Sequence, residues 1–301
     1  MIRESVDFCP LFPVSCFLFP VSCFLYSVPC LLYPASMPYK YLLIEKTAPH
    51  IKTICLNRPD NLNALNRDIM EEIVAASYAL HEDGECRVVI FRGMGKHFSA
   101  GADVKEMKTR GEGEESYLMI RRRAGLGAKV IRAILDIPQI TIAAVHGVAL
   151  GGAACMVNAC DFRIGSEECQ IGYPEIDRGM NLMWQALPLC VQLIGPAKAK
   201  RMIIGGIKEC ATDLEKWGFL DQIVDRESLL DAALEMANLY AAKPPIAAQM
   251  IKASVNAVSG ALNQSIMHMD TDQNLLTAKT ADRREAMQAF FDKRDATFSG
   301  N

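Results

Sequence analysis

Beyond residue 37 the apolar positions of this chain fall into two alternating patterns. Residues 51–56 (IKTICL), 88–91 (VVIF) and 141–145 (TIAAV) are short β-branched or apolar runs of strand length. Between the first two, Asn66 precedes a pattern with Ile69, Met70, Ile73, Val74 and Leu80 on one face, closed near Gly84. That spacing predicts an amphipathic helix with a capped start. Between the second and third runs, the stretch from Tyr117 to Leu135 carries Ile120, Val130, Ile131, Ile134 and Leu135 and is stopped by Pro138. This is α/β order. After Ser228 the pattern turns almost wholly helical. Ser228 with Asp231 reads as a cap, Pro244-Pro245 separates that helix from the next, and two more helices are expected over residues 261–279 and 281–294. The chain therefore divides into an extension (1–36), an α/β core (37–227) and a helical region (228–301).

The extension is set apart by a tandem repeat. Residues 12–18 (FPVSCFL) recur as 19–25, and Cys9, Cys16, Cys23 and Cys30 stand seven residues apart. Pro10, Pro13, Pro20 and Pro29 would break a membrane-spanning helix, while Glu4 and Asp7 spoil the basic start of a signal peptide. We read it as the product of an upstream start codon, with Met37 the true beginning; an anchor or signal sequence and a structured arm are the alternatives. Under that reading the protein is expected to be cytoplasmic, with no membrane partner.

Composition narrows the classes further. Of 301 residues half are apolar, enough for one large core or two modest ones. Lys and Arg (32) nearly balance Asp and Glu (35), and a net charge of -3 gives no electrostatic reason to expect nucleic acid. The 11 cysteines form no CxxC, and none stands at zinc-finger spacing from a histidine. Buried, reduced thiols and no metal are expected.

Two links poor in side-chain chemistry carry the candidate site. After the strand ending at Phe91 comes HFSAGADVKEM (97–107), where Asp103 with Glu106 reads as a cap and Val104 and Met107 as a first apolar turn. After the strand ending at Val145 comes HGVALGGAAC (146–155), where Gly151-Gly152 precedes an apolar helical run. Residues this small leave a backbone N–H open to a ligand at a positive helix end. Two such donors aimed at one point form an oxyanion hole, a device that needs no side chain. Each link alone also fits an ordinary strand-to-helix turn.

Together with NRPDNLNALN (57–66), YPEIDRG (173–179) and DRREAMQAFFDKR (282–294), these segments resemble landmarks of the enoyl-CoA hydratase/isomerase (crotonase) family, over residues 39 to 294. The resemblance implies a crotonase-like spiral of ββα units, with C-terminal helices that build a homotrimer or dimer of trimers. It implies an acyl-CoA thioester as substrate, coenzyme A entering only as part of it, and neither metal nor redox cofactor. It also implies that the amides of Ala100 and Gly152 bind the thioester oxygen and stabilise an enolate, with Ser99, Ala102, Asp103 and Gly151 beside the substrate.

Hydratases of the family place one glutamate early in the helix after the Gly-Gly link and another about twenty residues later. Here those positions hold Cys155 and Glu175. A thiol with pKa of about 8.5 is a poor substitute for a carboxylate with pKa of about 4.3. One carboxylate suffices to carry a proton between C2 and C4 of a dienolate, so double-bond isomerisation by Glu175 is favoured. Hydration of an enoyl-, dienoyl- or cyclic dienoyl-CoA is the alternative; a thioester hydrolase and an inactive assembly subunit are further ones. Asp177 is a candidate second acid. Cys155 with His146 as its base is a candidate nucleophile pair. His97 could assist the acyl group or cap the strand, and Arg121, Arg122 and Arg123 could meet CoA phosphates or form a solvated face. GMNLMWQALP (179–188) replaces the family's glycine-rich stretch and brings Met180, Met183 and Trp184 near the expected acyl pocket. Trp184 either shapes an apolar slot for the acyl chain or packs a helix on the core.

Overall fold

The computed structural model describes residues 39–103 and 115–301. The repetitive extension, and the turn expected through Val104, Glu106 and Met107, lie outside them. The three expected strands are β2 (Ile51–Leu56), β3 (Val88–Gly93) and β4 (Ile140–Val145), and β1 (Leu42–Ala48) precedes them. Further along come β5 (Val148–Leu150), β6 (Phe162–Ser166), β7 (Gln170–Gly172), β8 (Lys208–Cys210) and β9 (Gln222–Val224). One sheet has the order β1-β2-β3-β4-β6-β9 and a smaller one the order β5-β7-β8. In the larger sheet only β1 is antiparallel to its neighbour.

Helix α1 (Arg67–Ala79) begins as expected, the Asn66 side chain accepting from the Ile69 amide at 3.0 Å. The helical stretch before Pro138 is two helices parted at Gly125, α2 (Tyr117–Ala124) and α3 (Leu126–Leu135). Only α3 buries its apolar face, through Val130, Ile131 and Ile134. With α1 and the wholly buried α4 (Gly152–Ala159) it packs on one face of the sheet, against Val89, Phe91, Ala143 and Val145. The next helical run, α5 (Leu187–Ile204), is broken at Gly195 (φ 76°) just before Pro196, and α6 (Ala211–Lys216) follows.

The tail helices are α7 (Leu229–Ala241), α8 (Pro245–Ser259), α9 (Gln264–Met267), α10 (Asp270–Thr277) and α11 (Ala281–Asp292). Residue 228 is not a packing boundary. Leu229, Ala233, Ala237 and Ala241 of α7 cover the sheet's second face, over Ile51, Val88, Ile90, Ile142, Ala144 and Ile164. The central strands are thus buried on both faces, which is why they read as continuous apolar runs. Each fully buried Val or Ile there contributes about 1.5–3 kcal/mol. Two local expectations need correction. Ser228 does not cap α7 with its side chain; Asp225 accepts from the Ser228 amide at 2.9 Å and hydroxyl at 3.0 Å. The stretch 261–279 is two helices, interrupted at His268 and Met269. Helix α8 exposes Ile246, Met250, Ile251, Val255 and Val258. No helix among the described residues is long and apolar enough to cross a membrane.

Candidate active site

The link after β3 is held on both sides. Towards β5, the Ser99 amide donates to Val148 O at 3.0 Å and the Leu150 amide to Ser99 O at 3.1 Å. Towards residues 61–65, the Leu65 amide donates to Gly101 O at 2.8 Å and the Asp103 amide to Leu65 O at 3.1 Å. Asn63, fully buried with φ 52°, shapes that neighbouring loop: its Nδ2 donates to Met94 O and His97 O, and its Oδ1 accepts from the Arg58 amide.

This clamp corrects the expected donor. The Ala100 amide is spent on Leu62 O at 2.9 Å, and the Gly101 amide on Ser99 Oγ at 3.1 Å. Among the described residues no acceptor takes the Ala102 amide, and Ala102 lines a cavity of about 50 Å³ with Gly151 and Glu175. The open N–H of the first link belongs to Ala102. Ser99 is fully buried, its hydroxyl donating to Asn63 O at 2.7 Å, so it positions the link instead of lining the cavity. Asp103 also lies outside the lining; Arg58 Nη1 holds it at 3.1 Å.

The second link turns at Gly151 (φ 54°), whose amide donates to Gly172 O at 2.9 Å. Gly152 then opens α4, and its amide has no acceptor among the described residues. The two links run side by side: a Cβ on Gly101 (φ 85°) would stand 2.3 Å from Leu150 O and 3.6 Å from Gly152 N. Only glycine fits there.

Glu175 reaches this point from a third element. It follows β7 through Tyr173 and Pro174 and starts a short 3-10 turn (Ile176–Arg178) closed by Gly179 at φ 64°. Its Oε1 would lie 2.7 Å from a Cβ on Gly151, so the carboxyl rests on that glycine's Cα. Its Oε2 is buried with no hydrogen-bond partner. Burial pushes the Glu175 pKa up from 4.5 to about 7, with its own backbone amide and Arg178 opposing and Asp177 adding to the rise. A carboxyl poised near 7 can both take and return a proton.

The remaining candidates are placed elsewhere. Cys155 is buried one turn along α4; burial foremost, and then the charge of Glu175, hold its thiol well above the usual range, so it is no nucleophile. His146 faces Gly95 O at 3.1 Å, and burial with the nearby Arg226 takes its pKa down to about 4. It does not serve Cys155 as a base. Asp177 is exposed and lies against Gly206, away from the cavity. His97 Nδ1 accepts from the Val148 amide at 3.2 Å, the structural role. Arg121 pairs with Asp272 and Arg123 with Glu115 on the surface. Trp184 packs its indole over Gly152, where a Cβ would meet the ring at 2.3 Å, and over Gly127 of α3. It takes the packing role, although it does so directly against an oxyanion-hole candidate.

Among the lining residues that went unread in the sequence are two cations, Arg178 and Arg283. Both sit in motifs that were recognised, YPEIDRG and DRREAM, but nothing in the sequence joins a turn in the core to a helix a hundred residues later. The structure joins them by packing Gly179 on the Arg283 backbone, 2.8 Å from a Cβ position to Arg283 Cα. A different concavity, a groove of about 960 Å³, runs along α8. Its buried Lys252 is already paired with Asp161 at 2.7 Å.

Two open amides and a buried carboxyl on a mostly parallel α/β sheet make this an enzyme-like site. The enoyl-CoA hydratase/isomerase family model matches residues 46–301, and the chain belongs to that family. It is similar to the crotonyl-CoA hydratase of Syntrophomonas wolfei subsp. wolfei, 32% identical over 263 residues that cover 87% of this chain and 99% of that protein. Among solved structures it resembles an enoyl-CoA hydratase/isomerase from Xanthobacter autotrophicus Py2 (29% identity, TM-score 0.76, covering 87% of this chain and 100% of that one). It also resembles a monofunctional enoyl-CoA isomerase from M. smegmatis (25% identity, TM-score 0.62, covering 73% and 93%). The crotonase-like fold expected from the sequence is therefore the fold of the chain.

Proposed function

We propose that the chain isomerises the double bond of an enoyl-CoA, with the amides of Ala102 and Gly152 holding the thioester oxygen and Glu175 as the single proton shuttle. The observation that carries this reading is the Glu175 carboxyl set against Gly151, its Oε2 buried and unbonded, with burial pushing its pKa up to about 7. Glu175 as carboxylate removes a proton from one end of the allylic system, and charge moves onto the thioester oxygen. Two preorganised amides stabilise that charge, each worth about 10²–10³ in rate. The protonated Glu175 then returns the proton at the other end, which leaves the enzyme unchanged. Only these groups and the substrate's own coenzyme A enter the shuttle.

Hydration is the second reading, favoured by the name of the crotonyl-CoA hydratase relative. Cys155 weighs against it, because a buried neutral thiol stands where a second carboxylate would activate water. Purified protein given a 3-enoyl-CoA and its 2-enoyl isomer tests both. Interconversion at constant mass, followed by the conjugated-thioester absorbance, is expected. A gain of one water with no interconversion overturns isomerisation, and release of free CoA thiol would mean hydrolysis. The apolar residues exposed along α8 support assembly into trimers, which sedimentation would measure.

A further inference from the structure

Beyond Glu175 the cavity wall is cationic. Arg178, three residues on in the same turn, and Arg283 of α11 both line it. Arg178 Nη1 donates to Pro174 O at 3.2 Å, while its Nε is buried with no partner. Arg283 Nη1 donates to Arg178 O, and its other nitrogens meet no protein acceptor among the described residues. Neither guanidinium has a carboxylate partner among the described residues, although burial and the charge of Arg178 both bear on Arg283. Glu175 offsets part of the Arg178 charge, but its Oε2 makes no hydrogen bond to either guanidinium. The Phe290 ring, 4.9 Å beneath Arg178, offsets part of one charge. Half-buried like charges with open donors are costly unless an anion arrives to meet them.

Resting on the enoyl-CoA reading above, we propose that Arg178 and Arg283 bind a carboxylate at the far end of a short acyl chain, so that the substrate is a carboxylated enoyl-CoA. The bond that moves is next to Glu175, and both arginines line the same cavity. The cavity is narrow, about 50 Å³, and favours a short chain over a long one. Met180 and Met287 complete the wall and suit the chain's methylenes.

The same anion-binding chemistry could serve a CoA phosphate, and calorimetry with two unreactive thioesters separates the sources. Glutaryl-CoA is expected to bind the wild-type protein about 10- to 100-fold tighter than butyryl-CoA, the range of one or two charge-assisted bonds. In Arg283→Gln that ratio should fall towards one, and Arg283→Lys should keep part of it. Equal affinity of the two thioesters for the wild type overturns the proposal, whatever the variants do. Equal weakening of both by Arg283→Gln would put the arginines on CoA itself and overturn it too. Turnover is read separately, on glutaconyl-CoA and crotonyl-CoA. Selective glutaryl-CoA binding without turnover of either enoyl thioester supports the carboxylate site while defeating the isomerase reading.

Discussion

Replacing Glu175 with glutamine should make the protein more stable and inactive at once. A carboxyl whose pKa rises on folding from 4.5 to about 7 binds its proton more tightly in the folded state. The stabilisation this gives is fully present below pH 4.5 and is lost as pH rises through 7. Above pH 7 the folded protein must hold a charge in a site that gives Oε2 no partner, a penalty of about 3 kcal/mol relative to pH 4.5. Glutamine has nothing to ionise. The stability of Glu175→Gln relative to wild type should therefore climb by about 3 kcal/mol between pH 4.5 and 8, most of it between pH 5 and 7. Urea denaturation of both proteins at several pH values measures this difference, and the titrations they share cancel. In the same series wild-type kcat/KM should rise with pH up to about 7 and then level, as the free carboxylate becomes the majority form, while the variant loses about 10²–10⁴ in rate. A flat stability difference, or a variant less stable at pH 8 than at pH 5, would mean that the carboxyl is solvated or paired, and the poised-shuttle reasoning would fail.

Other expectations follow from neighbouring contacts. Gly152→Ala drives a methyl into the Trp184 ring, 2.3 Å away, and should cut kcat by about 10²-fold with less change in KM; adding Trp184→Leu should recover part of it. Cys155→Ala should change kcat/KM by less than about 3-fold, and the wild-type thiol should resist alkylation in the folded protein, since burial keeps it protonated. Ser99→Ala removes the hydroxyl that bridges Asn63 O and the Gly101 amide, and should cost about 1–3 kcal/mol in urea denaturation together with a drop in kcat.

What could be read in advance follows from how each element is buried. Strands β2, β3 and β4 were legible because both of their faces are covered, which leaves long apolar runs. Strands β5, β7, β8 and β9 are three residues each, too short to display a period. Gly152 and Glu175 were singled out through their motifs, and the structure lays the Glu175 carboxyl on Gly151, the residue before Gly152. The choice of Ala100 over Ala102 failed because both are equally small. What separates them is register against residues 61–65, set by Asn63 in a left-handed conformation with side-chain bonds to Met94 O and His97 O. Nothing near Ala100 encodes that. His146 was misread for a similar reason, since proximity along the chain to Cys155 says nothing about which way an imidazole faces.

The covering of the sheet's second face by α7 carries a cost during biosynthesis. Strand β6 is complete at Ser166, yet Leu229, the first residue of its cover, is made some sixty residues later. At ribosomal speeds of about 5–20 residues per second, Ile51, Val88, Ile90, Ile142 and Ile164 stay uncovered for roughly 3–12 seconds. A nascent chain stalled in that interval presents a sticky, half-finished sheet, which makes it a natural client for chaperones that bind emerging polypeptides.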